Sequence, residues 1–76
     1  MNNKTRKELE KVVDIINDLK EILTTIIDEE QNKFDNLSDG LQQGDNGIQM
    51  EDAVSNLQEA IDHLDDTIGS IETVVR

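Results

Sequence analysis

The chain contains no cysteine, proline, tryptophan or tyrosine, and only one phenylalanine and one histidine. Without cysteine there is no disulfide framework and no thiolate metal site, and thiol usage gives no reading of the redox compartment. A single histidine, His63, leaves no ligand set for zinc or another transition metal. No apolar run is long enough to span a bilayer, and the start Met1-Asn2-Asn3-Lys4 lacks the apolar core of a signal peptide. The cytoplasm is therefore the expected location. Basic residues are scarce as well: seven stand against eighteen acidic ones, for a net charge of −11.

What remains is 34% hydrophobic and 33% charged, a balance typical of long helices and coiled coils. A chain of 76 residues makes one small domain at most, and a single core of that size is marginal without help. Disulfides and metals being excluded, oligomerisation is the expected stabiliser. Disorder competes as a reading of so high a charge, but the periodicity of the apolar residues argues against it.

The first helix announces itself at Thr5-Arg6-Lys7-Glu8, a threonine with glutamate three residues on, which reads as a capping box. From there Leu9, Val12, Ile16, Leu19, Leu23 and Ile26 recur at alternating steps of three and four. Val13, Ile15, Ile22 and Ile27 flank that stripe, so the apolar face is wider than a single partner helix covers. Asp39-Gly40, Gly44-Asp45 and Asn46-Gly47 are turn dipeptides and place a connection over 37–47. Asn46 is the expected cap of the next helix, with Gln49 three residues on. In that helix Met50, Val54, Leu57, Ile61, Leu64, Ile68, Ile71 and Val75 follow an unbroken 4-3 heptad spacing. Beside this seam runs the column Ala53, Ala60, Thr67 and Val74, small enough for most of its length to admit a close neighbour.

These patterns predict an all-α chain with one domain over 1–76: helix 5–36, loop 37–47 and helix 48–75, folded as an antiparallel hairpin of coiled-coil type. The wide face of the first helix predicts that two hairpins pair into a four-helix bundle. The residues expected at the oligomer interface are Val13, Ile15, Leu19, Ile22, Ile26 and Ile27 of the first helix. Val54, Leu57, Ile61, Leu64, Ile68 and Ile71 of the second complete the set.

Catalysis finds little purchase. His63 falls on an outward heptad position, and no glycine-rich phosphate cradle occurs, so the chain is expected not to be an enzyme and to need no cofactor. The loop carboxylates invite a test for calcium. With Asp35 as first ligand, an EF-hand alignment puts Leu37 third and Asn46 where a bidentate glutamate belongs, and the motif fails.

The charge is unevenly spread. Residues 1–20 carry a net of +1 and residues 21–76 a net of −12. A surface this negative repels nucleic acid and anionic membranes and attracts basic protein surfaces. Glu51, Asp52, Glu59, Asp62, Asp65, Asp66 and Glu72 lie outside the second seam and are the candidate partner-binding residues. Such charge ordinarily forms the solvated face of a bundle. Its sharper reading is a carboxylate row that imitates phosphates and occupies a nucleic-acid-binding cleft.

Two segments carry a resemblance. Asp28-Glu29-Glu30-Gln31, Phe34-Asp35-Asn36-Leu37 and Gly40-Leu41-Gln42 form the first; Met50 to Ala53 with Ser55 to Asp62 and Leu64 form the second. Together they resemble a family of short acidic helical-hairpin proteins from phages and mobile elements of Gram-positive bacteria. The resemblance implies a setting and assigns no site. With the patterns above it makes the expected function a homodimeric interaction module that binds and inhibits a host protein. The alternative is an oligomerisation or assembly module without an inhibitory role. Phe34, Leu37 and Leu41 are expected to cover the bundle end, with a partner-binding tip as their other reading.

Overall fold

The first long helix begins one turn earlier than its capping-box pattern predicts. In a computed structural model covering all 76 residues, α1 runs Asn3–Asp35 and the Asn2 side chain caps it, its Oδ1 accepting the Thr5 amide at 2.8 Å. Asparagine is at least as good a cap as threonine, and its position adds another turn of paired backbone. Asn36 and Leu37 donate to the carbonyls of Asn32 and Phe34, and α1 ends there.

The expected 37–47 loop is largely helical. Ser38 caps a short helix α2, Asp39–Gln42, with Oγ accepting the Leu41 amide at 3.4 Å and Asp39 in the first turn, where the helix dipole favours a carboxylate. Asp39-Gly40 thus opens a helix and makes no turn. The last helix, α3, runs Asp45–Val75 with Gly44 as its cap, so Asn46-Gly47 lies inside its first turn and Asn46 does not cap it. All the glycines have negative φ. The Gln42 side chain donates to the Phe34 carbonyl at 3.1 Å and ties the connection back to α1.

The chain is thus all-helical, a long extended helix pair measuring 58 × 15 × 13 Å. The two long helices run in opposite directions: Leu9 and Val13 share a groove with Ile71 and Val75, and further along Lys20 is ion-paired with Asp65. No helix is long and apolar enough to cross a membrane.

On α3 the seam between the helices is the one read from the sequence, since all its positions from Met50 to Val75 are partly shielded. On α1 it is a different one. Leu9, Val13, Ile16, Lys20, Leu23, Ile27, Glu30 and Phe34, with Leu37 just past the helix end, are shielded there and spaced by fours and threes. Val12, Leu19 and Ile26, expected in the seam, are 41%, 45% and 39% exposed. Two 4-3 stripes lie side by side on α1. Both share Leu9, Ile16, Leu23, Glu30 and Leu37; the expected one adds Val12, Leu19, Ile26 and then Lys33, whereas the one used here adds Val13, Lys20, Ile27 and then Phe34. Packing on the stripe that includes Phe34 engages the whole of α3 at the cost of admitting Lys20, while Glu30 falls in either stripe. Both long side chains lie along the seam with their heads at its edge: Lys20 reaches Asp65, and Glu30 accepts from Lys33 at 3.1 Å.

A pair of helices has a seam and no enclosed interior. Ile16 and Ile27 are the only buried large side chains, with Gly47 the only other buried residue. Leu41, expected to fold back over the bundle end, is 62% exposed, because α2 turns it outward, while Phe34 and Leu37 are half-buried.

Lys20 gives a direct test of the seam. Asp65 is half-exposed and stays hydrated without its partner, so the lost ion pair is worth well under about 1 kcal/mol. Lys20→Leu should therefore raise the melting temperature by roughly 4–8 °C, which corresponds to about 1 kcal/mol of added apolar burial in a domain of this size. Thermal unfolding followed by circular dichroism checks it, and a lowered midpoint would show that the ion pair holds the register.

Candidate interaction surfaces

The antiparallel seam gives the pair two unlike sides. In such a pair, positions flanking the seam on one helix lie beside the equivalent flanking positions on the other. On one side these are Glu10, Asn17, Thr24 and Gln31 of α1 and Glu51, Gln58, Asp65 and Glu72 of α3. Glu10, Asp14 and Glu72 line one groove together, and the Lys20–Asp65 pair lies on the same side. The adjoining arc of α3 carries Asp52, Glu59, Asp62 and Asp66. All seven candidate partner-binding carboxylates are exposed and fall within this one continuous arc.

The opposite side is apolar. There Val12, Leu19 and Ile26 flank the seam on α1, and Ala53, Ala60, Thr67 and Val74 flank it on α3. The register fixed by Lys20 and Asp65 sets Val12 level with Val74, Leu19 with Thr67 and Ile26 with Ala60. Ile15 and Ile22, at 59% and 57% exposure, extend the patch outward on α1. Val12, Ile15, Leu19, Ile22 and Ile26 are spaced 3-4-3-4, a second heptad stripe with nothing packed on it. A single soluble helix pair seldom leaves so regular an apolar stripe in water.

The residues expected at an oligomer interface are therefore divided between two places. Val13 and Ile27 of α1, and Val54, Leu57, Ile61, Leu64, Ile68 and Ile71 of α3, lie in the seam within the chain. Ile15, Leu19, Ile22 and Ile26 lie on the open stripe. Sequence spacing shows both stripes on α1 but does not show which one α3 covers.

Elsewhere the surface offers little chemistry. His63 is exposed, no charged side chain is buried, and no group of three or more acidic, histidine or cysteine side chains is placed to hold a metal ion. A shallow polar groove on α1 is lined by Asn17, Lys20, Glu21, Thr24 and Thr25. Its two threonine hydroxyls already donate to the carbonyls of Lys20 and Glu21, at 2.9 and 3.1 Å. Comparison with protein-family models, with curated proteins and with solved structures finds no significant match.

Proposed function

We propose that the chain is a non-enzymatic interaction module: a helical hairpin that pairs with a second copy into a four-helix bundle and presents its acidic arc to a host protein, which it inhibits. The open heptad stripe on α1 carries the first half of this reading. The second rests on the placement of Glu51, Asp52, Glu59, Asp62, Asp65, Asp66 and Glu72 in one exposed arc away from that stripe. At 1.5 Å per residue these seven carboxylates span about 32 Å, a mean spacing of roughly 5 Å. A nucleic-acid strand carries one phosphate per about 3.4 Å of axis, so a basic cleft that tracks a backbone meets a similar density of charge on this rod. A phage or mobile-element protein acting in the cytoplasm fits the resemblance in 28–64.

Capture of partners from host lysate at two salt concentrations tests the reading. Binding should weaken by about tenfold or more between roughly 50 and 200 mM salt and should be competed by duplex DNA or RNA. Lysine at Asp65, Asp66 and Glu72 should abolish it. Salt-insensitive binding without competition would sink the mimicry. The open stripe alone favours a second reading, a structural oligomerisation or assembly module, in which the same charge reversal leaves function intact.

A further inference from the structure

We infer that the open stripe of α1 is covered by the same stripe of a second copy, the two α1 helices running antiparallel about a two-fold axis between Leu19 and Ile22. This rests on the dimer proposed above and specifies its partner helix and its orientation.

A heptad stripe with 3-4-3-4 spacing calls for a helix bearing a matching stripe. In a second copy α3 has none to offer. Its one continuous heptad seam is taken by its own α1, and outside that seam it presents the acidic arc and the polar column Gln49, Asn56, His63 and Ser70. The uncommitted stripe of the second copy is that of its own α1. Its neighbours on α3 are mostly small, Ala53, Ala60 and Thr67, so the incoming helix can settle toward the groove between α1 and α3.

Charge decides the orientation. Residues 4–11 of α1 hold Lys4, Arg6, Lys7 and Lys11 against two glutamates, while residues 21–35 hold five acidic residues against Lys33. Antiparallel pairing sets the basic start of each α1 against the acidic end of the other. With the axis between Leu19 and Ile22, these two residues pack across it, Ile15 meets Ile26 of the second copy, and Glu8 meets Lys33. A parallel pair would set Glu29 against Glu29 and Lys33 against Lys33, both repulsive.

The chain has no cysteine, so introduced thiols report on this arrangement without background. Glu8→Cys and Lys33→Cys are surface changes that leave the seam intact. An oxidised equimolar mixture of the two should give the mixed 8–33 disulfide, seen by non-reducing electrophoresis and mass spectrometry, while each variant alone gives none. In the unmodified chain Leu19→Glu should raise the dimer dissociation constant about 100-fold, the scale of a hot-spot residue, and leave helicity by circular dichroism unchanged. Glu8→Cys cross-linking to itself would show a parallel pair and overturn the orientation. A dimeric mass by light scattering with no mixed disulfide, or one indifferent to Leu19→Glu, would place the interface elsewhere and overturn this inference while sparing the dimer. A monomeric mass at all concentrations would sink both.

Discussion

Ile27→Ala should remove about 2–4 kcal/mol of stability and lower the melting temperature by roughly 10–25 °C. Ile27 is the most shielded large side chain in the molecule, at 5% exposure, and lies in the seam opposite α3. Truncation there loses the transfer free energy of three carbons and leaves a void between two long helices. Helices cannot close such a void locally without breaking the register on either side. For a chain of this size a loss of that order is a large part of the total stability. The matched control is Ile15→Ala, more than three turns away on the same helix and 59% exposed, which should change the unfolding of the isolated chain by less than about 0.5 kcal/mol. Unfolding by urea, measured where the chain is monomeric, compares the two variants. If they prove equally harmful, the assignment of Ile27 to the seam and Ile15 to the outside is wrong.

That assignment is also where sequence and structure part company. The seam of α3 was legible because apolar residues fill it without exception from Met50 to Val75. On α1 two stripes that share Leu9, Ile16, Leu23 and Glu30 compete, and the one that the fold uses is interrupted by Lys20 as well. A reading by apolar count prefers the uninterrupted run through Val12, Leu19 and Ile26. The structure instead uses the stripe that has Phe34 where the other has Lys33, and the charged heads of Lys20 and Glu30 escape to the edge. The excess apolar surface was visible from spacing alone, but its side was not. Which flank of α1 lies beside which flank of α3 depends on the antiparallel register, a tertiary property.

The acidic arc had the same fate. Each of its carboxylates could be named from the heptad, yet their gathering on the side away from the open stripe follows only from the pairing of Lys20 with Asp65 and from the groove shared by Glu10, Asp14 and Glu72. The separation has a physical consequence. A protein can self-associate through its apolar flank without bringing its most negative surfaces together, and those surfaces stay open to a third party. The connection departs from its turn signals for a local reason: Ser38 ahead of Asp39 is a helix start, and Asn46-Gly47 falls inside the first turn of α3.

Those glycines separate cleanly by what a side chain would meet. Glycine inside a helix is about 1 kcal/mol less favourable than alanine, so a glycine-to-alanine change should ordinarily stabilise. Gly69→Ala should do so, since α3 is open there and nothing lies within 4 Å of the added carbon. The expected gain is up to about 1 kcal/mol, or roughly 4–8 °C in the melting temperature. Gly47→Ala should go the other way. Its φ is negative, so backbone conformation gives alanine no penalty, but the new carbon would stand 2.2 Å from the Gln42 carbonyl oxygen and 2.6 Å from its carbonyl carbon. These are backbone atoms at the end of α2, and they cannot rotate aside. The α2–α3 junction would have to open, pulling on the Gln42 side chain that donates to the Phe34 carbonyl. Overpacking of this kind costs about 1–3 kcal/mol, more than the propensity gain, so the midpoint should fall by roughly 5–15 °C. Thermal unfolding of the two variants side by side gives opposite signs if the close approach at Gly47 is what fixes the connection. A rise in both would mean that the junction is loose, with Gly47 no more constrained than Gly69.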